Sequence, residues 1–70
     1  MTAARIMTNV AVKIVNRVRA DGAPFCELLH TWVEGGQPRA ALSRMPWRID
    51  DTPASRAFQI EAFKTRQARA

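Results

Sequence analysis

Cysteine is nearly absent from this chain, and that alone closes several routes. Cys26 is the single thiol among 70 residues, so no internal disulfide can form. With one histidine, His30, the soft ligands also fall short of a four-ligand structural zinc site. Tyrosine is missing, and twelve of the apolar residues are alanines, each of which contributes little buried area. Carboxylates are scarce as well: six, against eleven lysines and arginines, leave a net charge of +5. No apolar run approaches the roughly eighteen residues of a transmembrane helix. Asn9 and Lys13 interrupt the N-terminal stretch that a secretory signal would need. A reducing, cytoplasmic setting is expected, in keeping with an unpaired cysteine. A core this small supplies only about 3–5 kcal/mol without crosslinks, metal or association. The expectation is a homodimer or an obligate member of a complex.

What is present falls into four apolar groups. In the first, Met7, Val10, Ala11, Ile14, Val15 and Val18 share an arc of about 140° on a helical projection, with Lys13, Arg17 and Arg19 opposite. The same stretch alternates partly at period two and runs into Asp21-Gly22, a hairpin signal, so a strand is the competing reading. Val15, Asn16 and the placement of Pro24 weigh against that strand. In the second group, Phe25, Leu28, Leu29, Trp32 and Val33 have the spacing of one helix face, opened by Pro24 and stopped by Gly35-Gly36. The stretch from Pro38 to Arg44 reads as a short helix. Met45, Trp47 and Ile49 then alternate as an extended connector over residues 45–50. Asp50-Asp51-Thr52-Pro53 starts a last helix towards Arg69, with an oxygen-bearing cap and proline in the first turn. That helix is apolar on two sides, Ala54, Phe58 and Ala62 against Ile60 and Phe63, and so asks for two packing surfaces.

The predicted fold is therefore all-α: one domain over residues 1–70, of three to four helices, with 1–3 and 67–70 frayed. An N-terminal β-hairpin or strand followed by helices is the alternative. The expected core is Val10, Ile14, Val18, Phe25, Leu28, Leu29, Trp32, Leu42 and Trp47.

Signals for catalysis are thin. Cys26 and His30, four apart on a helix, would meet as the start of a nucleophilic dyad, with the thiol pKa lowered by the helix dipole. No orienting third group or oxyanion loop accompanies them, so a core cysteine and an edge histidine explain them better. Asp50-Asp51 caps a helix more simply than it binds a metal, and Gly35-Gly36 lacks the ending of a phosphate loop. A basic membrane-surface helix or transit peptide at the N-terminus lacks the aromatic anchor or the serines it would need. Trp32 and Trp47 read as core anchors rather than base-stacking platforms. The chain is expected to be a non-enzyme without cofactor or metal.

Charge points to binding instead. Residues 36–70 carry most of the positive excess, and arginine outnumbers lysine nine to two, which suits phosphate or carboxylate partners. Two readings follow. In the first, Arg39, Arg44, Arg56, Lys64, Arg66 and Arg69 bind nucleic acid and the protein is a small regulator. In the second, Val12, Ile60 and Phe63 form an apolar interface ringed by arginines, and the protein is an adaptor or inhibitor of the accessory or phage type, docking on an acidic protein partner. The basic excess supports the first, and the absence of helix-turn-helix spacing supports the second.

Overall fold

The computed structural model describes residues 6–69 as β1 (Met7–Val18), β2 (Pro24–Glu34), β3 (Gln37–Met45) and α1 (Pro53–Arg69). The strands form one antiparallel sheet in the order β1-β2-β3, and α1 packs across one of its faces. The expected all-α domain is thereby overturned: the residues predicted as the first three helices are a three-stranded meander, and of the predicted helices the last alone forms, as α1.

The reason lies in the central strand. Cys26, Leu28, His30 and Trp32 face the helix, whereas Phe25, Leu29 and Val33 face the other way. A strand with apolar residues on both faces merges two alternations, and residues 25, 28, 29, 32 and 33 then imitate a 3.6 period. The glycine pair read as a helix stop is a two-residue hairpin turn. Gly35 and Gly36 both have positive φ, 58° and 76°, as a type I′ turn between antiparallel strands requires. Asp21-Gly22 forms the other turn, with the Asp21 carboxylate accepting a hydrogen bond from the Ala23 amide at 3.0 Å. Pro24 begins β2, where the ladder loses least from its missing donor.

Asn16, which argued against a strand, has a specific task on the helix side. Its amide donates to the Ile49 carbonyl at 2.8 Å and accepts from the Ile49 amide at 3.0 Å, tying the connector to β1. Met45 and Ile49 thus reach the core cluster of Val12, Ile14, Cys26 and Leu28, which Ile60 covers from α1. Beside it, His30 stacks on Phe63 with ring centroids 4.2 Å apart, and Trp32 tilts against the same ring at 5.0 Å. Of the expected core, Ile14, Leu28 and Trp32 are buried, and Val10 and Phe25 half-buried. Val18, Leu29, Leu42 and Trp47 are exposed, because they lie on the uncovered face, at a strand end or in the connector.

The last helix forms with the expected start. The Thr52 hydroxyl accepts from the Ser55 amide at 3.1 Å as its cap, and Pro53 opens the first turn. Only one of its two apolar sides is covered: Phe63 is buried and Phe58 exposed. Helix continues through residues 67–69, where fraying was expected; residues 1–3 and 70 lie outside the described residues.

Candidate functional site

With α1 on one face, the opposite face of the sheet is open, and the strand register orders its side chains into rows. Arg17 lies beside Phe25; Val15, Glu27 and Arg44 form the next row, then Lys13, Leu29 and Leu42, then Ala11, Thr31 and Ala40. Neighbouring strands lie about 4.8 Å apart and successive rows nearly 7 Å apart, so the first three rows occupy one small patch. Arg19 extends the basic end of β1. It lines, with Phe25, Arg44, Met45 and Pro46, an open groove of about 440 Å³.

Glu27 sits in the middle of these cations, with only 15% of its side chain exposed. One carboxylate oxygen accepts from Arg17 Nε and the other from Arg44 Nε at 3.2 Å. The Arg17 hydrogen bond, then Arg44, holds the Glu27 pKa below its ordinary value despite partial desolvation. Both guanidiniums remain more than half exposed, at 57% and 68%, so their outer N–H groups are open to a ligand. Arg19 has a looser contact, 3.8 Å from Asp21.

The structure does not gather the six cations expected to bind nucleic acid. Arg44 stands on the open face, while Arg39 lies across from Trp32 on the helix side of β3. Arg56, Lys64, Arg66 and Arg69 belong to α1; Arg56 pairs with Asp51, Lys64 with Glu61, and Arg66 lies 5.9 Å from the Phe63 ring centre. The basic set on the open face instead comes from β1, where Lys13 and Arg17 share that face, and from Arg19 just beyond the strand's end, which lines the groove with Phe25 and Arg44. Their odd-numbered spacing was the available signal, hidden by the helical projection. The apolar interface moves inward: Val12 and Phe63 are buried and Ile60 packs on the core, so all three hold the chain's own layers together.

The Cys26–His30 dyad is not assembled. On a strand, residues four apart share a face but are separated by about 13 Å, here with Leu28 between them. Burial pushes the Cys26 thiol up rather than down, with a weaker opposing effect from the Met45 backbone. His30 is fully buried. Its Nε2 faces the Gln59 carbonyl at 3.3 Å, and Nδ1 has no hydrogen-bond partner. Desolvation lowers its pKa, outweighing the opposing Gln59 contact, and the nearby Arg66 charge adds a smaller lowering effect. Among the described residues no group of three or more His, Cys, Asp or Glu side chains could hold a metal ion. No helix among them is long and apolar enough to cross a membrane.

Fold and site together define a β-β-β-α module with one sheet face covered by its helix and the other left open and basic. No protein-family model, curated protein or solved structure matches the chain.

Proposed function

We propose that this chain is a small, non-enzymatic nucleic-acid-binding protein of the cytoplasm that lays the open face of its sheet against the sugar–phosphate backbone. One observation carries the reading: Lys13, Arg17, Arg19 and Arg44 lie along one face, where among the described residues Glu27 pairs with Arg17 and Arg44, and Asp21 at the turn lies near Arg19. A backbone ligand releases condensed counterions when those cations meet phosphates, and the contacts are sequence-tolerant. Glu27 accepts from both Arg17 and Arg44, which brings these two cations together on the face before a ligand arrives.

Salt-titrated anisotropy with random duplex and single-stranded probes tests this. For four phosphate contacts the log–log slope on duplex should be roughly −3 to −4. Arg17→Ser and Arg44→Ser should each reduce it by about one. If neither probe binds at low salt, or if Arg56, Lys64, Arg66 and Arg69 carry the slope instead, the open-face reading is wrong.

A second reading has its own support. Leu29 and Leu42 lie side by side at the centre of the same face, 36% and 56% exposed. An acidic protein, or a second copy of the chain, would cover them with the arginines as rim. Such binding would resist salt and fail with Leu42→Asp, whereas backbone binding would survive that change weakened.

A further inference from the structure

The groove at the basic end of the sheet differs from the rest of the open face. Arg19, just past the end of β1, and Arg44 of β3 line it together with Phe25 of the central strand, Met45 and Pro46. Phe25 is half-buried, and it lines an opening of about 440 Å³, the size of a small-molecule site. An aromatic side chain sharing a groove with two arginines matches one chemistry well: a flat, apolar ring system carrying an anionic group. Base–aromatic stacking tolerates every base, because each has a π-face. Base-paired nucleotides cannot offer that face, since their neighbours in the stack already cover it. On the basic strip of Lys13, Arg17 and Arg44 alone, paired and unpaired strands differ only in charge density.

Resting on the backbone-binding reading above, we propose that this groove takes one unpaired nucleotide, its base on Phe25 and its phosphate between Arg19 and Arg44. The protein would then recognise strand ends and junctions, where duplex lies on the basic strip and the first unpaired base enters the groove. Arg44 serves both parts: Glu27 holds its Nε, and its terminal nitrogens are free to turn towards the groove.

The test compares one labelled blunt duplex with the same duplex bearing a three-nucleotide overhang, at equal salt. The overhang should bind on the order of tenfold tighter, the effect of stacking one base. Phe25→Leu keeps the apolar contact but removes the flat ring. It should abolish the overhang preference and leave blunt-duplex affinity within about twofold. Arg19→Ser, fully on the surface, should reduce the preference without touching the core, and circular dichroism of both variants shows whether the sheet is intact. Equal affinity for the two probes, or a preference that survives Phe25→Leu in a folded variant, overturns the groove assignment while backbone binding stands. Failure of both probes to bind overturns the two together.

Discussion

Mild acid should loosen this protein, and His30 should be the cause. The imidazole is fully buried between sheet and helix, with Val12 and Ala41 across the strands and Phe63 stacked on it. The Gln59 carbonyl, its polar contact among the described residues, favours the protonated ring, but burial outweighs that contact and the Arg66 cation adds to the penalty. The folded-state pKa is therefore below the ordinary value of about 6.5 that the unfolded chain retains. As pH falls below 6.5 the unfolded state takes up a proton that the folded state refuses, and stability drops by up to about 1.4 kcal/mol per pH unit until the folded pKa is reached. Even one pH unit of such loss is a large share of the roughly 3–5 kcal/mol available to a domain of this size. Glu27 does not confuse the window. Its pKa is lowered from 4.5, so its stabilisation is complete above that value and is lost only as pH falls further, through its folded pKa. Urea midpoints followed by far-ultraviolet circular dichroism, from pH 7.5 down to 5, measure the effect. His30→Gln keeps an amide donor for Gln59 but does not titrate, and its midpoint should be nearly flat over the same range. A wild-type midpoint that stays constant, or an equal slope in His30→Gln, would refute the argument.

Three further outcomes follow from the packing. Phe63→Ala removes the buried side chain that joins helix to sheet, and a loss of about 3–5 kcal/mol should leave the chain unfolded or the helix undocked, read by thermal melting. Asn16→Ala should cost about 1–3 kcal/mol by stranding the half-buried Ile49 amide and carbonyl. Asn16→Asp should not restore it, because a carboxylate cannot donate to the carbonyl. Gly36→Ala meets no neighbouring atom within 4 Å, so its cost of about 1–2 kcal/mol should come from the positive φ alone. Gly36→Asn should lose less than alanine in a denaturation series.

Several features were legible before any fold was known, and all of them are local. The cap at Thr52 with Pro53, the breaks at Asp21-Gly22 and Gly35-Gly36, and the connector after Met45 each depend on chemistry within a few residues. Those signals placed the element boundaries well. What ran between the boundaries was misread, because strands are stabilised by partners distant in sequence. Ile14 meets Leu28, and Leu28 meets Ser43, only once the meander has formed. The apolar residues of β2, divided between two faces, then imitated a helix.

The candidate site shows the same division. Composition alone established a basic chain suited to an anionic partner. Which arginines act together was decided by tertiary structure. Register brings Arg17 of β1 and Arg44 of β3 onto Glu27 of β2, and turns Arg39 to the other face of the same strand that carries Arg44. Likewise Phe63 looked like surplus apolar surface until His30 and Trp32, some thirty residues away, supplied its pocket. Local chemistry determines where this chain turns and how its helix begins, because those choices involve neighbouring atoms. Which face is covered and which stays open depends on long-range pairing, and only the folded sheet with one helix to cover it decides that.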